Sequence, residues 1–316
     1  MLRGQTNIKL KGKNYVEFLV LVFLSQFFVT KSFADLPLTI EDLLTKNNEF
    51  RLSLNFGYSN ADRSKVSAYF DYVETGNNNF VLLPVVVGEQ RQNSDRFTLT
   101  LGGRYGLSAN TELYSRLTAT ANDSRMHIGN NANSQNKNTI SHKSEQLNQL
   151  IFGVNHQCSE DNDSPALLGF AEVSLAENTA MDGSEYVHFK SGQMGFTTYR
   201  SIDPVVLSLT TGYRYSWRRK TNDKDLDPGD LLFINPSVGF AVNNEVTLTG
   251  GVQFKFRSRD GIDHQGTGIR TSQTDLELGL GYASSEQLTI NLTIRNDISG
   301  NTDAQANLGL LYKLKN

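Results

Sequence analysis

The chain lacks several residue types and patterns that define common classes of protein. Its 316 residues include one cysteine, Cys158, so neither an intramolecular disulfide framework nor a cysteine-based zinc site can form. Beyond the N-terminal region there is no run of about 18 apolar residues, which argues against a membrane-spanning helix. The formal net charge is only −3, and the body of the chain has no basic cluster. This balance argues against nucleic acid as the main partner.

The first 34 residues have the layout of a secretory signal peptide. Four basic residues open it: Arg3, Lys9, Lys11 and Lys13. An apolar stretch follows at 15–29, and Ser32 and Ala34 stand at the −3 and −1 positions of a small-residue cleavage site. We expect 1–34 to be removed on export; the alternative is an uncleaved N-terminal anchor, for which the apolar stretch is short.

A period-two alternation of apolar and polar residues recurs along the rest of the chain. In "FRLSLNFGYS", residues 50–59, every second residue from Phe50 to Tyr58 is apolar. This pattern predicts a β-strand with one apolar face. The clearest further cases lie at 96–107, 205–218, 245–257, 274–282, 287–296 and 305–316. Weaker candidates at 111–121, 146–157, 165–176, 186–200 and 231–242 bring the total to about twelve strands, an even number within the range of membrane barrels.

The connections between these strands favour lipid, rather than a protein core, as the medium of the apolar face. Short turns at 107–112, 201–204, 242–245 and 284–287 alternate with longer polar loops at 61–93, 122–145, 177–185, 218–230 and 259–269. Outer-membrane barrels have this asymmetry, with short turns in the periplasm. Aromatic residues near the strand ends resemble interface girdles: Tyr58, Tyr105, Tyr213, Tyr215, Trp217, Tyr282 and Tyr312. We therefore predict an all-β fold, a transmembrane antiparallel up-and-down β-barrel over 50–316; the alternative is a secreted β-sandwich.

Several strand-and-turn stretches resemble a known family. They lie at 36–60, 94–116, 164–175, 197–214 and 234–254. They are similar to the outer-membrane transporter barrels of the phenol-degradation meta-pathway type, and the resemblance covers most of the exported chain. It extends to the functional-amyloid secretion pore, a barrel of about twelve strands with a helical plug. The chain departs from that pore by lacking a long N-terminal coiled-coil segment and a C-terminal aromatic residue.

The segment "DLPLTIEDLLTKNNE", residues 35–49, precedes the first strand and is predicted to begin with a short helix. Thr39, with Asp42 three residues later, resembles a capping box. Three apolar residues then share one helix face: Ile40, Leu43 and Leu44. We expect this segment to plug the periplasmic mouth of the barrel. The alternative is a frayed leader, since so short a helix is marginal alone.

Charged residues on the polar faces of the strands are candidates for a lumen lining. They are Arg51, Arg104, Arg214, Lys255, Arg257, Asp275, Glu277 and Arg295. One interpretation is a selectivity ring that favours anions. The other is a network of cross-strand ion pairs that stiffens the wall, which is favoured because opposite charges lie on neighbouring predicted strands.

The sequence gives no sign of catalysis or of a bound metal or cofactor. None of the five histidines stands at a metal-ligand spacing, and no G-x-S-x-G motif is present. The acidic stretch 222–230 differs from a calcium loop in the place of its glycine and in lacking an acidic twelfth residue. Asp263 and His264 are adjacent in sequence, which does not make them a catalytic dyad. We therefore expect a barrel without enzymatic activity.

The pattern as a whole predicts a pore in the bacterial outer membrane. The expected partners are membrane lipid, the barrel-assembly machinery and the transported cargo. Following the resemblance, the cargo is small molecules, hydrophobic or aromatic ones among them. Two alternatives stay open: a secretion channel for a polypeptide such as amyloid subunits, and a structural or adhesive barrel with a blocked lumen. The oligomeric state does not follow from the sequence.

Overall fold

The computed structural model describes residues 44–314 except 77–78, 129–137, 179–185, 222–223, 264, 268 and 301, and it describes the backbone alone within 65–90 and at 128, 138, 177–178, 186–188, 221, 224 and 302. The described chain is built of strands. They are β1 (Phe50–Gly76), β2 (Asn79–Ser108), β3 (Thr111–Ile128), β4 (Asn138–Ser159), β5 (Ala166–Asn178), β6 (Tyr186–His188), β7 (Ser191–Ile202), β8 (Val205–Ser216), β9 (Arg219–Thr221), β10 (Lys224–Asp227), β11 (Leu231–Ala241), β12 (Val246–Arg257), β13 (Asp260–Ile262), β14 (Gln265–Thr267), β15 (Thr271–Ala283), β16 (Leu288–Asp297) and β17 (Thr302–Leu314).

Twelve of these strands close into one antiparallel barrel. Their order around the wall is β4-β3-β2-β1-β17-β16-β15-β12-β11-β8-β7-β5, and pairing of β4 with β5 closes the ring. The first and last strands are neighbours, with Phe50 opposite Leu314. Closure leaves no open edge along the wall, so each barrel strand finds hydrogen-bonding partners on both sides. The predicted barrel of about twelve strands is confirmed.

The remaining strands are short and lie at one end of the barrel. β6 adds three rungs to β5, and β9, β10, β13 and β14 form a small separate sheet. Asp260 ties this sheet to the barrel by accepting a hydrogen bond from the Gly229 backbone N–H at 2.7 Å and pairing with Arg257 at 2.9 Å. The hydrogen bond from Gly229 and the nearby guanidinium lower the pKa of Asp260 below its usual value, although partial burial opposes them.

The two ends of the barrel differ, and we call them the short-turn end and the long-loop end. Both chain ends of the wall and the turns at 109–110, 160–165, 203–204, 242–245 and 284–287 lie at the short-turn end. The other end holds the longer connections from β8 to β11 and from β12 to β15, and also the four-residue link from β16 to β17. The predicted alternation of short and long connections is therefore present in only part of the wall.

The long loops predicted at 61–93 and 122–145 are, in large part, strand. β1 and β2 continue as a paired hairpin from Asp62 to Gly76, and β3 and β4 remain paired as far as Ile128. The prediction of loops here was wrong because polar residues on both faces of a strand above a membrane hide the alternation that marks it. The wall is consequently tallest over β1–β4.

The outer face of the wall is apolar and ends in two aromatic bands. On β1 and β2 the outward residues from Phe50 and Tyr105 to Tyr58 and Phe97 span eight residues of register. That is about 27 Å along the strands and about 21 Å of height at a typical tilt of ~40°, close to the ~25 Å apolar band of membrane barrels. All seven predicted girdle residues are exposed, between 39% and 47%.

Candidate functional site: the barrel lumen

The chain turns into the barrel just before its first strand. We call residues 44–49 the strap. Asn48 adopts a left-handed conformation at φ 60°, and its N–H donates to Gly106 O at 2.8 Å. Ahead of Asn48, the strap crosses the inner side of Gly106, where a Cβ atom on that glycine would lie 2.6 Å from Thr45 O. Only glycine at this position of β2 leaves room for the crossing.

A buried carboxylate holds the strap against the wall. Glu112 on β3 accepts hydrogen bonds from the backbone N–H of Thr45 at 2.7 Å and from its hydroxyl at 2.5 Å. Asn155 donates to the other carboxylate oxygen at 2.9 Å, and Arg104 lies 3.7 Å away. Thr45 and Glu112 are both fully buried, and Leu44 is 6% exposed. A buried charge with this many donors is well satisfied, so the strap is firmly held at the short-turn end.

The strap is the described part of the predicted plug. Leu44 is buried, whereas Thr39, Ile40, Asp42 and Leu43 lie outside the described residues. Between 44 and 49 the chain forms a bridge and a turn rather than a helix.

The register places the eight predicted lumen residues on the inner side of the wall or at its rim. Arg51 and Arg104 are paired across β1 and β2 at the short-turn end, and Arg51 is buried. Arg214 donates to Ser191 at 2.9 Å. Arg257 stands at the long-loop end, where it contacts the small sheet.

The other four predicted lumen residues form two cross-strand ion pairs. Lys255 Nζ lies 2.8 Å from Asp275, whose side chain is 3% exposed. Arg295 lies directly opposite Glu277 and contacts it through two nitrogens, at 3.0 and 2.5 Å. Each pair joins charges of opposite sign, so this part of the wall presents no ring of a single sign. The pairs match the wall-stiffening interpretation more closely than the anion ring.

Several inward charged residues escaped the sequence analysis, and Glu112, Arg116 and Glu172 are among them. Arg116 on β3 contacts Glu172 on β5, and Tyr114 donates a hydrogen bond to the same carboxylate at 2.8 Å. The sequence of β3 could have predicted two of them, because Glu112 and Arg116 alternate with the apolar residues Leu113 and Leu117.

An aromatic row lies on the inner wall between β3 and β11. It consists of Tyr114, Phe170 and Phe233. Each ring covers a glycine of a neighbouring strand; a Cβ at Gly195 would lie 2.6 Å from the Phe170 ring, and one at Gly212 2.5 Å from the Phe233 ring. The two phenylalanine rings are stacked, with centroids 6.5 Å apart. The glycines thus let flat rings line a lumen that is otherwise polar.

No group of three His, Cys, Asp or Glu side chains among the described residues could hold a metal ion. Within the same part of the chain, no helix has the length and apolarity needed to cross a membrane.

Comparison with known proteins supports the fold but identifies neither a family nor a cargo. No family model matches the chain, and no curated protein matches it. Among solved structures it is similar to the COG4313 outer membrane channel from Pseudomonas putida F1, with a TM-score of 0.58 and 11% identity over 91% of this chain and 100% of that one. This likeness gives the fold of an outer-membrane channel and is consistent with the transporter-type resemblance.

Two further barrels are more distant. The NanC porin has a TM-score of 0.44 and 11% identity over 83% of this chain and 100% of its own. The CymD monoaromatic hydrocarbon channel has a TM-score of 0.42 and 10% identity over 88% of this chain and 91% of its own. Scores this low carry no argument about cargo. None of these three structures is an amyloid secretion pore, so that part of the resemblance stays a prediction.

Proposed function

We propose that the chain is an outer-membrane channel that moves small solutes, hydrophobic or aromatic ones among them, through the barrel lumen. The observation that carries the proposal is the contrast between the two faces of one closed wall. The outer face is apolar and exposed, whereas the inner face holds ion pairs and polar side chains. An apolar belt suits lipid and a polar interior suits a water-filled path. In this reading the short-turn end faces the periplasm.

The strap supports a channel that is narrowed at its periplasmic mouth. It occupies the inner side of β2 and is held by a fully buried carboxylate. A segment placed there reduces the cross-section available to solutes. Export with removal of 1–34 and insertion by the barrel-assembly machinery complete the proposal; N-terminal sequencing of the membrane-inserted protein tests the cleavage site.

The aromatic row supports solutes that contain a ring. Stacked or edge-on aromatic contacts contribute about 0.5–1.5 kcal/mol beyond area burial. The rings of Phe170 and Phe233 are half-buried, so part of each faces the lumen. A planar solute can stack there beside the ion pairs that border the row, Arg116 with Glu172 and Lys255 with Asp275.

We expect Phe233→Ala to lower the preference of the channel for aromatic over saturated rings. The measurement is flux into proteoliposomes of benzoate and of cyclohexanecarboxylate, which share a charge and a six-membered ring. The flux ratio should fall about twofold to tenfold, the equivalent of one lost aromatic contact. Leu232→Ala is the matched control because Leu232 is the adjacent residue on the outer face, 40% exposed. An unchanged ratio in Phe233→Ala and Phe170→Ala contradicts a role for the row in cargo choice.

A further inference from the structure

A second feature of the lumen lies near the long-loop end, on strands other than those that carry the aromatic row. It is a cavity of about 210 Å³ bounded by β1, β2, β12 and β15–β17. We call it the loop-end cavity. Ligand pockets for drug-sized molecules are larger, at about 300–1,000 Å³. The loop-end cavity therefore suits a solute of only a few heavy atoms.

Most of the charge around this cavity is neutralised within the wall. Asp275 accepts from Lys255 Nζ at 2.8 Å and from Gln273 Nε2 at 2.8 Å. Asp297 accepts from the backbone N–H of Ser299 at 2.7 Å. These groups already have partners in the folded chain, so they offer little to a ligand.

Two groups of opposite charge in the same cavity retain unused hydrogen-bonding capacity. Arg96 on β2 donates from Nε to Asn122 at 2.8 Å, and among the described residues its two terminal amino groups have no partner. Asp303 on β17 contacts Arg63 only at 3.5 Å through Oδ2. Its Oδ1 is buried and accepts no hydrogen bond from any described residue. The Asp303 carboxylate is therefore incompletely hydrogen-bonded in the folded chain and can accept from a donor on a ligand.

We propose that the loop-end cavity binds a small zwitterion, a solute with an ammonium group and a carboxylate a few ångströms apart. The ammonium donates to the carboxylate of Asp303, whose side chain is 28% exposed, and the carboxylate of the solute accepts from the terminal amino groups of Arg96. A solute with one charge is disfavoured because it can pair with only one of the two groups, Arg96 or Asp303. This inference rests on the proposed function, since it names a solute class for the same lumen.

The test is equilibrium binding to the whole detergent-solubilised chain by isothermal titration calorimetry. Three probes share one carbon skeleton: β-alanine carries both charges, propionate only the carboxylate and propylamine only the ammonium. β-Alanine should bind at least about tenfold more tightly than either singly charged probe, the equivalent of one charge-assisted hydrogen bond. Arg96→Gln and Asp303→Asn should each weaken β-alanine binding by a similar factor.

Matched variants on the outer face control for the change of net charge. Arg91→Gln and Asp62→Asn remove the same charges from a pair outside the lumen, where Arg91 contacts Asp62. Both should leave binding unchanged. Circular dichroism of each variant shows that the barrel has formed.

Other outcomes overturn the inference. If propionate binds as tightly as β-alanine and Asp303→Asn does not weaken binding, the cavity is a simple anion site. If β-alanine does not bind to a folded barrel that still conducts ions, the zwitterion site is wrong and the channel stands. If β-alanine binds but the inserted barrel conducts no ions, the channel function is contradicted and the zwitterion site stands.

Discussion

Removing the strap should increase ion conductance several-fold. The comparison is between three chains in planar bilayers, beginning at residues 35, 44 and 48. The chain from 44 retains Thr45 and its two hydrogen bonds to the buried Glu112, and the chain from 48 loses them. We expect the largest increase between 44 and 48, because those residues cross the inner wall at Gly106.

A point variant of the full exported chain separates the strap from the segment before it. Glu112→Ala removes the acceptor for both Thr45 bonds, and hydrogen bonds to a charged group contribute about 1.5–3 kcal/mol. That loss shifts the balance between a held and a released strap by a factor of about ten or more, so frequent openings should appear. Equal conductance in all three chains and in Glu112→Ala contradicts an obstructing strap.

A charge placed at mid-height on the outer face should destabilise the protein in lipid vesicles by about 2–4 kcal/mol, the cost of an arginine at a bilayer midplane. Leu101→Arg is the variant, since Leu101 lies opposite Leu54 between the two aromatic bands. Urea-induced unfolding in vesicles measures the free energy of unfolding.

Leu107→Arg is the control for depth, because Leu107 is near the end of the same strand and on the same face. Its cost should be about 0–1 kcal/mol, as expected near the interface. Leu101 and Leu107 are similarly exposed, at 51% and 54%. A barrel in water would therefore tolerate both substitutions alike, and equal effects contradict a lipid-facing wall.

The sequence predicted the barrel because lipid imposes a period of two on one face of every spanning strand. Strands with a polar inner face, such as β12 and β15, were the clearest. β5 and β11 were weaker candidates because Phe170 and Phe233 place aromatic rings on the inner face, which blurs the alternation. The weak alternation in those two strands is thus explained by the inward-facing rings of the aromatic row.

Contacts distant in sequence were harder to foresee. The pairing of Arg295 with Glu277 followed from adjacent strands, since a short turn fixes their register. Thr45 and Glu112 are separated by 67 residues, and their contact depends on the chain crossing a glycine of β2. No local pattern encodes such a crossing. The loop-end cavity likewise needs strands from both ends of the wall sequence, β1 and β2 together with β12 and β15–β17.

The central claim is that solutes pass through the lumen, and blocking one inner position tests it most directly. In a Cys158→Ser background, Thr210→Cys places a thiol on the inner face of β8, and Leu209→Cys places one on the outer face, where Leu209 is 37% exposed. A bulky, charged thiol reagent should reduce single-channel conductance of Thr210→Cys and leave Leu209→Cys unchanged. A barrel that inserts without conducting, or a reagent that reacts with both thiols and affects the two variants equally, contradicts a path through the lumen.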